Sequence, residues 1–318
     1  MEKTRSGGAR RRMGKLERKN TLVAYSFLAP NFLGFAIFTL VPVVCAILLS
    51  LYEWNGGDIA KLKFVGLENY ATIFNTAKVA EKGLGYFFNR VDLGISLKNT
   101  VFYTLVTVPL TLVCALALAM LLNKIKGAVF FRAVFFFPYV ASMVAICVCW
   151  SFMLMKNGPI NQMIMAFGIP FNKSWTADSD MAIWSIILVS VWRNMGYYMV
   201  LYLAALQGIP RELTEAATVD GANKWQQFLH VTLPQLKPTT FFVSVMMVIS
   251  CFKIYDVVAI MTEGGPGRAT KMLVTYIYDE AFVKNRYGQA SAISMVLLVI
   301  VLAITIIQFS SEKKFSND

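Results

Sequence analysis

Long uncharged apolar segments, separated by shorter polar ones, dominate the chain. No Asp, Glu, Lys or Arg occurs from Asn20 to Tyr52, Asn99 to Asn123, Ala133 to Met155 or Tyr287 to Ser311. Two further apolar stretches, Met181 to Pro210 and Pro238 to Thr262, are interrupted only by Arg193 in the first and by Lys253 and Asp256 in the second. A helix crosses the hydrocarbon core in about 20 residues, so each stretch is long enough to span it. Barrel strands would alternate over roughly 10 residues, whereas these runs are continuously apolar. The pattern predicts an all-α polytopic membrane protein with six transmembrane helices.

The polar segments set the organisation. Residues 1–21 form a basic tail, residues 22–311 the six-helix domain, and residues 312–318 a second short tail. Within the domain, residues 53–97 make a long loop with Gly56-Gly57 and the segment Phe64 to Tyr70, which reads as a small cap with an interfacial helix. Helix 3 is expected to start near Val129 and to contain Pro138, a residue that neighbouring helices make tolerable in a membrane. Tyr52, Trp54, Trp150 and Trp175 fall where interfacial aromatics belong.

Composition agrees with lipid as the solvent: 57% of residues are hydrophobic and only 15% charged, against about 25% in soluble domains. The net charge of +12 would suit nucleic acid, but its distribution decides otherwise. The first 19 residues hold eight cations, Arg10-Arg11-Arg12 among them. Lys124, Lys126, Arg132, Arg211, Lys224, Lys237, Lys313 and Lys314 fall on the same side of a six-span topology. By the positive-inside rule both termini are expected in the cytoplasm, and no nucleic-acid partner is needed. Cys45, Cys114, Cys147, Cys149 and Cys251 all lie inside apolar runs, as small hydrophobes do.

One polar stretch, residues 208–238, is too patterned for a slack connection. Pro210 suits a first helical turn, with Glu212 and Glu215 near its positive end. Asp220-Gly221 reads as a stop, a second helix runs from Trp225 to Val231, and Leu233-Pro234 ends it. Two short helices meeting at a glycine make a knuckle that projects from the membrane. Its residues Glu215-Ala216-Ala217, then Gly221, then Val231-Thr232-Leu233-Pro234 resemble the cytoplasmic signature of ATP-binding-cassette (ABC) importer permeases, with valine in place of isoleucine. Further segments, Ala24 to Pro30, Phe64 to Tyr70, Phe131 to Tyr139 and Thr262 to Gly267, look like landmarks of the maltose, glycerol-3-phosphate and multiple-sugar branch.

The resemblance implies a type I ABC importer permease fold in a bacterial or archaeal cytoplasmic membrane, and the first of two related permease subunits. It implies four kinds of partner: a homologous second permease, a dimer of ABC ATPases, an extracytoplasmic solute-binding protein, and a sugar or oligosaccharide cargo. Glu215, Ala216, Ala217, Asp220, Gly221, Leu233 and Pro234 would couple the chain to the ATPase. The chain has no GxxxxGK[ST] phosphate loop, so ATP and Mg²⁺ belong to the partner ATPases and no cofactor is expected here. No set of Ser, His and Asp or of paired carboxylates points to an enzyme. Two alternatives stay open: an importer for a non-sugar solute, and an ion-coupled secondary transporter, which predicts helices broken at mid-membrane.

Charges at membrane depth are functional candidates. Arg193 lies about 18 Å from the outer end of helix 4 and Lys253 about 21 Å from the inner end of helix 5. Ser190, Asn194 and Tyr197 share one helix face; Trp192 and Tyr198 flank it on the same helix, and Cys251, Tyr255 and Asp256 flank Lys253 on the next. Hydroxyls of a sugar take hydrogen bonds and its C–H faces rest on rings, so this mix suits a cargo path. The bland reading pairs Lys253 with Asp256 and leaves the tyrosines as packing. His230 is the single histidine, and it is expected to pack or cap.

Overall fold

The structure, a computed structural model, describes residues 15–125, 127–171 and 173–315. The first 14 residues of the basic tail, Lys126 and the side chains of Lys313 and Lys314 lie outside the described residues, as do residues 316–318. Four of the six apolar segments are helices long enough to span a membrane unaided. The first comprises α1 (Lys15–Phe35) and α2 (Val41–Leu49), joined through a π turn at Ala36–Leu40. The others are α6 (Asp92–Leu122), α10 (Ala182–Gln207) and α17 (Tyr287–Phe315).

The third and fifth segments depart from the expected straight helices. The third is α7 (Ala128–Val140) followed by α8 (Met143–Met153), bent by 94° where Ala141 and Ser142 adopt extended backbone. Pro138 lies inside α7, and the break comes three residues later rather than at the proline. The fifth is α14 (Lys237–Phe252), which ends at Lys253; a shorter helix, α15 (Asp256–Met261), resumes after a break at Lys253–Tyr255. Sixteen residues reach only about 24 Å, short of the roughly 30 Å core, so α14 needs the continuation to cross.

Before α6, the loop carries a two-stranded hairpin, β1 (Tyr52–Glu53) with β2 (Lys63–Phe64), and three short helices, α3 (Glu68–Phe74), α4 (Thr76–Lys82) and α5 (Leu84–Arg90). Buried Asn69 ties this cap down by donating through Nδ2 to the carbonyls of Ser50 and Tyr52, each at 2.9 Å. The loop after α8 contains α9 (Pro159–Ala166) and is knotted by Asn161. Asn161 Nδ2 donates to three carbonyls, and its Oδ1 accepts from Trp175 Nε1 at 2.7 Å. Nearby, a hydrogen bond from the Lys173 ammonium holds the Asp178 carboxyl below the usual carboxylate range.

The main core lies where α6, α10 and α14 meet, filled by Tyr103, Ile186, Met199, Tyr202, Val243 and Met247. A satellite core joins the cap to α17 through Ile73, Phe87, Leu93, Phe252 and Ile293. Gly196 allows α10 to touch α7 directly: a Cβ there would lie 2.6 Å from the carbonyl carbon of Phe135, and closer still to its oxygen. The first span is exposed nearly all round within the chain, Phe27 and Phe38 each at 80%, and its largest contact with another span is with α17. Apolar surface of that extent belongs in lipid or against another subunit.

Between α15 and α17 the chain forms a loop around residues 262–271 and then α16 (Leu273–Tyr278) with a π turn at Asp279–Val283. Ionic contacts fasten this loop to the start of α6. Asp92 meets Arg268 at 3.0 Å and Lys271 at 3.4 Å, while Asn99 Nδ2 donates to the carbonyls of Arg268 and Lys271.

Candidate functional site

Two places concentrate the singled-out residues: the knuckle between α10 and α14, and a cavity at the break in the fifth span.

In the knuckle, α11 spans Arg211–Val219, with Pro210 one residue outside it as N-cap rather than in the first turn. The helix stops because Gly221 takes φ +79°, which lets Ala222 N donate to Ala217 O at 2.9 Å and Gly221 N to Thr218 O at 3.1 Å. This is a glycine-terminated C-cap. Space around Gly221 is open, so its conformation rather than its size is what the fold demands within this chain. Asn223 then starts α12 (Lys224–Gln227) through a capping box: its side chain accepts from Trp225 N and Gln226 N, and Gln226 Oε1 accepts from Asn223 N. The N-x-x-Q spacing that signals this box is readable in the sequence and extends the candidate set. Gln227 bridges the two helices, donating to Ala222 O at 2.9 Å and Thr218 Oγ1 at 3.1 Å.

Leu233-Pro234 does not end the second helix as expected. A π turn at Phe228–Thr232 leads without interruption into α13 (Leu233–Gln235), so Pro234 lies inside a continuous helical run. The turn of direction comes at Leu236, where the axis bends by 63° into α14. Glu215, Ala216, Asp220 and Leu233 are exposed, and Ala217 and Pro234 half-buried. The knuckle also presents Val219, 88% exposed, and Trp225, 66% exposed, and it holds a concavity of about 320 Å³ bordered by Ala217, Asp220, Gly221 and His230. His230 Nδ1 lies 3.1 Å from the Gln226 carbonyl, which suits the capping role. Exposed apolar side chains beside small residues are features common at protein contact surfaces.

The cavity, about 160 Å³, opens among α6, α10, α14 and the break at Lys253–Tyr255. Ser190, Arg193, Asn194, Tyr198, Cys251, Lys253, Tyr255 and Asp256 line it. Tyr197 does not: it stacks on Tyr139 of α7, ring centres 4.4 Å apart. Tyr103, Met143, Met247, Ser250, Ile254 and Val257 complete the walls, and sequence reasoning does not find them. For Tyr103 a signal exists, since Ser96, Thr100, Tyr103, Thr104, Thr107 and Thr111 recur at helical spacing and are all buried on α6.

Helix ends supply the cavity's electrostatics. Lys253 caps the negative end of α14 and Asp256 stands in the first turn of α15, each complementing the helix dipole it meets. The two form no ion pair with each other or with any other described residue, contrary to the bland reading. Arg193 is held by the Tyr139 carbonyl, 3.1 Å from Nη2, and by the Tyr139 ring at 5.0 Å. Asn194 donates to Ser190 O at 2.8 Å, which leaves its side-chain oxygen to accept; the Ser190 hydroxyl is buried beside Tyr103. The wall thus offers donors, acceptors and aromatic faces on a small, half-open volume, a combination suited to a polyhydroxylated molecule.

The sequence profile of the family described as "Binding-protein-dependent transport system inner membrane component" matches residues 100–317. The chain is 37% identical over 295 residues to the probable ABC transporter permease protein YurN of Bacillus subtilis, covering 91% of this chain and 96% of that one. It is 32% identical to the lactose transport system permease protein LacF of Rhizobium radiobacter, over 94% and 97% of the two chains. It is also 32% identical to the arabinooligosaccharides transport system permease protein AraP of Halalkalibacterium halodurans, over 90% and 86%. Among solved structures, a bacterial ABC transporter involved in import of the acidic polysaccharide alginate superposes with a TM-score of 0.77 at 21% identity, covering 93% of this chain and 96% of that one. The type I importer permease fold follows from that likeness.

Proposed function

The chain belongs to the binding-protein-dependent transport inner membrane component family, and from that premise we propose that it carries a sugar or oligosaccharide across the membrane as one half of a two-permease path. It is the membrane-spanning permease of an ABC importer, a transporter component rather than an enzyme. The break at Lys253–Tyr255 is a mark that ion-coupled carriers also carry, but family membership assigns the chain to the ATP-driven class.

The observation that carries the cargo reading is the cavity at this break, where charged groups, a serine hydroxyl, an amide and tyrosines converge. Relatives whose names specify lactose or arabinooligosaccharides support it. An ATPase dimer docks on the knuckles of the two permeases and holds ATP and Mg²⁺, while a solute-binding protein delivers cargo to the face opposite. Closure of the ATPase dimer draws the knuckles together and rocks the spans around the cavity. Both termini are cytoplasmic, residues 208–238 form the coupling segment and residues 53–97 the extracytoplasmic cap. Reporter domains fused at residue 1 or 318 should be active only in the cytoplasm; activity outside the cell would reverse the topology and detach the knuckle from any ATPase.

Cargo affinity is tested on the purified permease and ATPase complex, without binding protein, by equilibrium dialysis against tritiated lactose, arabinotriose and maltotriose. Asn194→Ala and Tyr198→Phe each remove one neutral hydrogen-bonding group, about 0.5–1.5 kcal/mol, and should weaken binding from a few-fold to about tenfold. Tyr197→Ala should instead lower the yield of folded complex with affinity unchanged, because its ring serves Tyr139. Equal affinities in the wild type and both cavity variants would move the site to the sister subunit.

A further inference from the structure

A chain of aromatic rings runs from the cavity to the cap. Tyr255, in the cavity wall, lies 5.1 Å from Tyr278; Tyr278 lies 5.1 Å from Phe282; Phe282 lies 6.4 Å from Tyr287; and Tyr287 lies 5.1 Å from Trp54. The rings come from four separate elements: the break in the fifth span, α16 with its π turn, the start of α17, and the residue following β1. Phe282 is 64% exposed and Tyr278 42%, so the middle of the chain shows open ring surface.

At its far end the chain reaches a second concavity, about 350 Å³, bordered by Glu53, Trp54, Asn55, Asn69, Arg286 and Gln289. The indole Nε1 of Trp54 is buried with no hydrogen-bond partner. Glu280, 3% exposed, anchors the π turn by binding Lys284 at 2.5 Å and facing Arg286 at 3.8 Å, and its second carboxylate oxygen has no hydrogen bond. The π turn sets Tyr278 and Phe282 side by side, and the buried Glu280 fixes both that turn and the approach of Arg286 to the concavity.

We propose that the Trp54, Asn55 and Arg286 concavity is an outer subsite for linked sugar rings, joined to the mid-membrane cavity by the track Trp54, Tyr287, Phe282, Tyr278 and Tyr255. The chemistry fits one occupant, a chain of pyranose or furanose units. Their C–H faces rest on the rings, of which Tyr278 and Phe282 are open, and the amides, carboxylate and guanidinium take hydroxyls where the track begins. A track of this kind gains contacts as the cargo lengthens, so it favours oligosaccharides over single sugars. The proposal rests on the carbohydrate reading of the cavity.

The complex is reconstituted in proteoliposomes with its ATPase and saturating binding protein. Uptake is followed for tritiated saccharides of two to five units from the malto-, galacto- and arabino-series, using the series that the wild type transports. Phe282→Ala is expected to slow the pentasaccharide about three- to tenfold, the effect of one aromatic contact, and the disaccharide no more than about twofold. Phe282→Tyr, which keeps the ring, should restore the rate, and Trp54→Ala should repeat the length dependence. A slowing that is the same at every length, or no slowing at matched complex levels, overturns the track alone. So does full pentasaccharide uptake by Phe282→Leu, since bulk without a ring would then suffice, as for a residue packed against the sister subunit. A wild-type complex that transports none of these saccharides overturns the carbohydrate reading together with the track.

Discussion

A complex carrying Gly221→Val is expected to lose ATP-driven uptake down to background while the chain remains in the membrane at normal abundance. Gly221 holds φ +79°, a region that costs an L-residue about 1–2 kcal/mol and a β-branched one more. The turn it makes aligns α11 with α12 through the bonds from Ala222 N to Ala217 O and from Gln227 to Thr218. Valine would rebuild that corner and turn α12 away from α11. Asparagine tolerates the same conformation, so Gly221→Asn should retain a substantial part of transport. Uptake by whole cells, with immunoblots of the membrane fraction, reads both variants. Transport abolished equally by Asn and Val would mean that the glycine serves close contact with the ATPase rather than the turn.

Gly196→Ala is expected to destabilise the whole subunit, because the added methyl meets backbone of Phe135 and Phe136 rather than a side chain that could swing aside. Separating α7 from α10 would also strain the contact between Arg193 and Tyr139 and the stacking of Tyr139 on Tyr197, which cross the same interface. Overpacking of this kind costs about 1–3 kcal/mol. In a bundle whose bent third segment is held mainly by this face, it should lower the melting temperature of the detergent-purified complex by several degrees, about 2–4 °C per kcal/mol. Size-exclusion profiles at increasing temperature measure it. A variant that melts with the wild type would show that the helices can part without loss.

The six apolar segments were legible because lipid demands long uncharged runs, and no local ambiguity competes with that demand. Their breaks were harder. Nothing in Ala141-Ser142 announces a 94° bend, since freed carbonyls in a membrane protein are satisfied by neighbours far away in sequence. The break at Lys253–Tyr255 did leave a trace. A cation followed three residues later by an acid, within an apolar run, is the order that suits one helix ending and another beginning. Spacing alone groups Asn194 with Tyr197, yet it cannot say that α7 covers Tyr197 with Tyr139. Tyr103 was hidden for the opposite reason, as one of several hydroxyl residues inside a run that reads as uniformly apolar. In the knuckle, the small residues and the glycine were plain from the motif, whereas the capping box of Asn223 and Gln226 carries its geometry in a pattern easily passed over.

The first span's sparse attachment bears on how the protein is made. Its principal helical neighbour is α17, synthesised more than two hundred residues after it, so the nascent helix has to wait in the bilayer while those residues are threaded. Throughout that interval it must be content as a solitary lipid-facing rod, which its charge-free sequence from Asn20 to Tyr52 permits. The central bundle of α6, α10 and α14 can meanwhile assemble among neighbours that emerge in close succession. Docking of α17 then acts as a late clasp, and a truncated chain lacking it would leave the leading helix adrift beside an otherwise formed core.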